Sequence, residues 1–381
     1  MHARLRGKLE LSSRVRVKTM RDLALAYTPG VAEPCRAIAK HPERVFDLTN
    51  KWNSVAVVSD GSRVLGLGNI GALAALPVME GKAVLFKEFA DVDACAICIK
   101  AKTTEEIVSA VKAIAPSFGG INLEDIESPK CFEVEARLRR ELDIPVFHDD
   151  QHGTAVVALA ALFNALKLAR KNMRSARIVV NGVGAAGSAI IKLLVKTGAK
   201  NVIAVDKSGA LWNGKPAMPV HHKEIARLTN KSKLTGGLAD VLRGADVFIG
   251  VSAPNVLTPT MVKSMSKKAI VLALANPVPE INPRQAKKVG AFIVATGRSD
   301  YENQVNNVLG FPGIFRGMLD CRARRVNDEM KLAAAKAIAG VLKGKQLSRR
   351  CILPKPFDKR VAPAVAKAVA ATARKTGVAR K

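Results

Sequence analysis

The sequence predicts an α/β protein of two domains, the second built on a doubly wound parallel sheet. Three observations carry this. From residue 177 onward, short apolar runs at 177–181, 201–206, 247–250, 269–274 and 291–295 alternate with helical patterns such as 188–197 and 238–243. The first two runs enclose Gly182-Val183-Gly184-Ala185-Ala186-Gly187, a glycine turn with a strand before it and a helix after it. Between the halves lies 154–169, a helix rich in Ala and Leu, apolar on most sides and therefore buried. Together they set a first α/β domain at 1–153 and a second at 154–381, whose helices from about 350 to 381 pack back on the first.

Taken in order, residues 1 to about 26 read as helical and basic. Tyr27-Thr28-Pro29-Gly30 then breaks the chain, because Pro and Gly make a rigid turn. Residues 54–58 form a strand ending in Ser59-Asp60-Gly61-Ser62. Gly66-Leu67-Gly68-Asn69-Ile70-Gly71 repeats the spacing of a nucleotide turn, but so short a match is weak evidence for one. Lys82 directly precedes the apolar run 83–86; on pattern alone it reads as a surface lysine. Residues 91–99 read as a buried strand and 103–114 as a helix opened by Thr-x-Glu-Glu.

Two acidic pairs, Glu124-Asp125 and Asp149-Asp150, stand 25 residues apart, each after a short apolar or glycine-containing run. Carboxylates gathered at strand ends in a basic chain suit a hard divalent cation with oxygen ligands. Helix caps and surface turns use the same residues, and the local sequence leaves both readings open.

The glycine turn at 182–187 has the full setting of a Rossmann-like NAD(P) site: strand, turn, helix, second strand, and Asp206 19 residues beyond Gly187. The glycines allow a pyrophosphate to approach, and backbone N–H groups at the helix start face its charge. Asp206 would accept the ribose hydroxyls of NAD, whereas Lys207 could meet the 2′-phosphate of NADP, so both cofactors stay open. Ligands of such sheets bind at the carboxyl ends of strands, where Asn276 falls and where Asn303, Asn306 and Asn307 follow Gly297-Arg298-Ser299-Asp300. The basic, amphipathic patterns at 327–342 and 362–375 read as solvent-facing packing helices.

Composition narrows the class. The 381 residues are 48% hydrophobic, enough for sizeable cores. Aromatics are only 4%, which argues against a stacking surface for single-stranded nucleic acid. Six scattered cysteines fit a reducing compartment, and Cys95-Ala96-Ile97-Cys98 reads as structural. The apolar stretch 154–168 is interrupted by Asn164 and Lys167 and falls short of the ~20 residues of a membrane span; the N-terminus lacks the apolar core of a signal peptide. A cytoplasmic protein is expected. Lys and Arg number 61 against 32 acids, a net +29 that would attract polyanions but is spread along the chain without a nucleic-acid motif.

Several strings together resemble the malic enzyme family, small prokaryotic type. They are Tyr27-Thr28-Pro29-Gly30-Val31-Ala32, Ser59-Asp60-Gly61 with Val64-Leu65-Gly66-Leu67-Gly68, Met79-Glu80-Gly81-Lys82-Ala83, Asn122-Leu123-Glu124-Asp125, Phe147-His148-Asp149-Asp150-Gln151-His152-Gly153-Thr154, Ala275-Asn276-Pro277-Val278-Pro279, and Gln304-Val305-Asn306-Asn307 with Phe311-Pro312-Gly313. The resemblance implies an N-terminal catalytic domain, a Rossmann-like NAD(P)-binding domain, and oxidative decarboxylation of (S)-malate to pyruvate and CO2. It implies Mg²⁺ or Mn²⁺ on Glu124, Asp125 and Asp150, with Lys82 as general base, Tyr27 as general acid and Asp149 supporting the base. It further implies substrate contacts at Asn276, Asn306 and Asn307, with Arg63 matching a substrate-carboxylate arginine of the larger members, and a homodimer with sites completed across subunits. A redox-neutral relative that makes lactate from malate is the near alternative; a polyanion-binding protein that kept the fold is the alternative from another class. The net +29 departs from a family that is usually acidic or near neutral.

Overall fold

The computed structural model describes residues 2–381. The first sheet holds four parallel strands, β1 (Ser54–Ser59), β2 (Asp93–Cys98), β3 (Gly120–Leu123) and β4 (Val146–His148), in the order β2-β1-β3-β4. Register places Val58 beside Leu123 and Leu123 beside His148. The residues that follow β3 and β4 are the two acidic pairs, so pairing alone delivers them side by side at one end of the sheet. Because side chains alternate across a strand, Ala56, Val58, Ile121 and Leu123 face helices Thr104–Ile114 and Lys130–Glu141. Val55, Val57 and Phe147 face the other way, toward Met79 and Phe86 of helix Gly71–Ala90 and Phe311 and Phe315 of helix Phe311–Asp320. Phe86 meets Phe311 and Phe315 edge-on at 4.7 and 5.1 Å.

The second sheet runs β10 (Ile293–Thr296), β9 (Ile270–Ala273), β8 (Val247–Gly250), β5 (Arg177–Asn181), β6 (Asn201–Asp206) and β7 (Gly209–Ala210). All pair in parallel except the short antiparallel β7. Strand order reverses about β5, which makes the sheet doubly wound and puts its ligand crevice at the glycine turn.

Four elements differ from the sequence reading. Residues 2–26 are not one helix: His2–Leu5 and Met20–Ala26 are helical, with irregular chain of turns and bends between. Thr19 starts the second through a capping box with Asp22, a local signal that closes off any longer helix. β2 is an edge strand, so Cys95 is exposed and Cys98 half-buried rather than core. The central helix is Asp149–Ala169, five residues longer at its start than its apolar pattern, because Gln151 and His152 are buried against polar partners. It is the one helix among the described residues long and apolar enough to cross a membrane, yet most of it is buried in the protein core. Asn164, which breaks the apolar run, donates to the carbonyls of Ala339 and Ile352 at 3.0 and 2.9 Å. Finally, helices Asp328–Val341 and Val361–Lys375 are core elements: Met330, Ala334, Ile338, Val365 and Val369 join the main apolar cluster.

Candidate active site

Glu124 and Asp125 leave the end of β3, and Asp149 and Asp150 open the helix that follows β4. The backbone N–H of Asp125 donates to Asp150 Oδ2 at 2.8 Å, and Asn122 Nδ2 donates to Glu124 Oε2 at 2.9 Å. Helix Gly71–Ala90 brings Lys82 to the same place, buried rather than snorkelling. Its Nζ lies 2.5 Å from Asp149 Oδ2, 3.0 Å from Glu124 Oε1 and 4.2 Å from the centre of the Phe311 ring. Asn307 donates to the same Asp149 oxygen.

Carboxylate oxygens of Glu124, Asp125 and Asp150 lie within 4.8 Å of one another. Burial first, then mutual repulsion, pushes Asp125 up to about 8. Burial likewise raises Asp149 and Asp150 to about 6 and lifts Glu124. Burial works against the Lys82 ammonium, but Asp149 and Glu124 outweigh it and hold the proton firmly. One buried lysine thus balances four crowded acids, and Asp125 Oδ2 and Asp149 Oδ1 are buried without a hydrogen-bond partner. An all-oxygen cage with surplus negative charge and orphaned acceptors fits a hard dication such as Mg²⁺ or Mn²⁺.

In the second sheet the turn 182–187 opens helix Ala185–Lys196. A Cβ on Gly187 would sit 1.8 Å from the Gly182 carbonyl oxygen, so the helix can approach the strand only without one. A Cβ on Gly184 would meet nothing within 4 Å, so the turn leaves room there for a ligand to approach the backbone. Asp206, at the end of β6, accepts from Ser208 N and Oγ at 2.7 and 2.6 Å, and its Oδ2 lies 3.0 Å from His222 Nδ1 without hydrogen-bond alignment.

The remaining candidates divide. The Asn276 side chain packs against Gly297 at the end of β9. Asn306 spends its carbonyl oxygen on the N–H of Val308 at 3.0 Å, capping its own turn. Arg63 donates its backbone N–H to the Asp125 carbonyl at 3.0 Å, and its charge favours ionised Asp150. Tyr27 stands apart: its side chain is 67% exposed and makes no side-chain hydrogen bond among the described residues. Sequence reasoning did not single out His148 or Phe311 as individual residues. His148 is fully buried, kept neutral by burial, with both ring nitrogens unpartnered and Nδ1 3.7 Å from Asp150 Oδ2. Its place at a strand end beside two acids was the available signal.

With this geometry in view, the matches to known proteins cover nearly the whole chain. Residues 151–374 match the family described as malic enzyme, NAD binding domain; residues 6–106 and 100–139 match malic enzyme, N-terminal domain. The chain is 58% identical over 375 residues to an NAD-dependent malic enzyme of Geobacillus stearothermophilus, covering 98% of this chain and 78% of that one. It is 56% identical over 381 residues to a bifunctional malic/malolactic enzyme of Bacillus subtilis (strain 168), covering 100% and 93%. The crystal structure of an NAD-dependent malic enzyme from Thermotoga maritima superposes with a TM-score of 0.94 at 52% identity, covering 97% of both chains.

Proposed function

The chain belongs to the malic enzyme family, and from that membership we propose that it converts (S)-malate to pyruvate and CO2 with reduction of NAD or NADP, dependent on a divalent cation. The observation that carries the reading is Lys82, buried at 2.5 Å from Asp149 on the rim of the carboxylate cage. Glu124, Asp125 and Asp150 hold the cation, which supplies Lewis acidity to the substrate's oxygens. Lys82 takes the proton of the C2 hydroxyl. It can do so only as an amine, so the carboxylates that hold its own proton must first be neutralised. Asp149, tied to Asn307, keeps the Lys82 nitrogen aimed into the site. Arg63, Asn276 and Asn307 line the place of the substrate, with Asn306 shaping the loop that carries Asn307. Tyr27 returns a proton to C3 after CO2 has left.

Residues 1–153 serve as the catalytic domain and 154–381 as the nucleotide domain, with the reaction in the crevice between them. Asp206 favours NAD, since its carboxylate accepts ribose hydroxyls and repels a 2′-phosphate. The protein works as a homodimer: Leu11, Met20, Leu25 and Tyr27 expose 104, 79, 68 and 67% of their surface, and a second copy would cover them and bring Tyr27 to a site. Six free cysteines among the described residues support a reducing compartment, with the cytoplasm as the proposed location.

The deciding assay follows NADH and NADPH formation from malate with Mn²⁺, side by side. Faster turnover with NAD is expected, and no reduction of either cofactor by folded protein refutes the proposal. The bifunctional relative supports a second reading, malate to lactate, in which lactate accumulates with catalytic NAD and no net NADH. Mixing Lys82→Ala and Tyr27→Phe proteins tests the shared site: activity restored in mixed dimers supports it, and none restored argues against it.

A further inference from the structure

The first turn of helix Asp149–Ala169 carries four polar residues, of which Asp150 belongs to the cage and Asp149 holds Lys82 beside it. The other two, Gln151 and His152, are buried and end on a single carboxylate, that of Glu135 in helix Lys130–Glu141. Gln151 Nε2 donates to Glu135 Oε2 at 3.0 Å. His152 Nε2 lies 2.7 Å from Oε1 and 2.9 Å from Oε2. Glu135 itself is 5% exposed, and a carboxylate so placed is costly unless charge and hydrogen bonds compensate it.

Compensation comes from a third helix. Lys331, near the start of Asp328–Val341 and 2% exposed, brings its Nζ to 3.5 Å from His152 Nε2 and 3.2 Å from Asp328 Oδ1. Arg139 adds a guanidinium 4.0 Å from Glu135 Oε1. Burial keeps His152 neutral, so it must carry its proton on Nε2 to donate to Glu135. It then has no lone pair there for Lys331, whose role is that of a countercharge. Lys331 and Arg139 thus surround the Glu135 carboxylate with positive charge, and Gln151 and His152 hold it by directed contacts.

We infer that Glu135 is a positioning residue for the cation centre: through Gln151 and His152 it fixes the rotation of the helix turn that aims Asp150. The inference rests on the proposed cation site. A buried ionic cluster is a poor way to gain stability, since apolar groups of the same size often do as well. It is a good way to hold one helix turn in one orientation, because each tether has a direction. Partners hydrogen-bonded directly to metal ligands typically change metal affinity by roughly 10- to 100-fold when altered; Glu135 acts one residue further out, so its effect should fall toward the low end of that span.

The test is Mn²⁺ binding to the full-length protein, followed by electron paramagnetic resonance of the free ion without malate or nucleotide, beside thermal melting and steady-state kinetics. Wild type must bind Mn²⁺; if it does not, the cation reading itself fails, whatever Glu135 does. Glu135→Gln should weaken Mn²⁺ by roughly 10-fold and lower kcat at limiting Mn²⁺, while the KM for the nucleotide stays put. Should Glu135→Gln fail to fold, Gln151→Met cuts one tether and leaves every charge in place; a smaller loss of Mn²⁺ affinity is expected. Folded variants that melt earlier yet bind Mn²⁺ as wild type does would overturn the inference, leaving Glu135 a purely structural residue.

Discussion

Lys82 Nζ and Asp149 Oδ2 meet at 2.5 Å in a pair where the lysine is 8% and the aspartate 0% exposed. Two flanking contacts fix the pair, Asn307 on the aspartate oxygen and the Phe311 ring under the ammonium. A lysine so confined has one direction in which to pass a proton. Lys82→Ala should therefore lower kcat by about 10²- to 10⁴-fold, the span of a general base. The KM for malate should move far less, because the residue acts in the transition state rather than in binding. Steady-state kinetics at saturating Mn²⁺ decide it, and an unchanged kcat removes Lys82 from the reaction.

Crowding in the cage gives a second expectation, opposite in sign to most core substitutions. Asp125 is raised by burial and by Asp150 and Glu124, so its charge opposes folding of the metal-free protein. Asp125→Asn should raise the melting temperature measured in EDTA. Wild type should gain about 2.7 kcal/mol at Mn²⁺ 100-fold above its Kd, and the variant should lose most of that gain. Calorimetry with and without Mn²⁺ reads both effects.

Gly184 and Gly187 should separate folding from nucleotide binding. A methyl at Gly187 would sit 1.8 Å from a backbone oxygen, so Gly187→Ala should yield unstable protein. Gly184→Ala has open space and should melt like wild type, while the KM for NAD rises sharply where the pyrophosphate must approach. Equal defects in both variants would contradict this division.

Acid should attack the Glu135 cluster. Burial opposes ionisation of Glu135, but His152, Lys331 and Arg139 outweigh it and hold the carboxyl below its ordinary range. The unfolded chain then binds the proton more readily than the native one. The stability Glu135 contributes is present above about pH 4.3 and is lost as pH falls from there through the lower native value. Urea unfolding of wild type and Glu135→Gln across pH 3 to 7 should converge toward the acid end, to about a kcal/mol.

The fold was legible where a local pattern and a global role coincide. The glycine turn at 182–187 announced a strand, a helix and a crevice because its spacing is a backbone requirement. The acidic pairs announced carboxylates at strand ends, but only the register of β3 against β4 brings them together. Lys82 was ambiguous for the same reason: a lysine beside an apolar run is usually at a surface, and its partners lie 42 and 67 residues away in sequence. Asn164 looked like an interruption and is a tie to two carbonyls contributed by remote loop and helix ends. Glu135 and Lys331 gave no signal, and Gln151 and His152 stood out only as members of a longer string, since nothing in a single chain of letters marks which polar residues will share a buried space.

Helix Asp149–Ala169 also works as a lever. Its first turn carries Asp149 and Asp150, its flank packs on the helix that opens the nucleotide turn, and Asn164 near its far end is fastened to the C-terminal region. At 21 residues it is about 30 Å long. A tilt of about 2° at the far end displaces Asp150 by about 1 Å over that length, a shift of the size that costs catalysis about 10²-fold. Substitutions around residues 339 and 352, remote in sequence from every acid in the cage, should therefore surface as defects in cation affinity, and screens for altered metal preference would find them there.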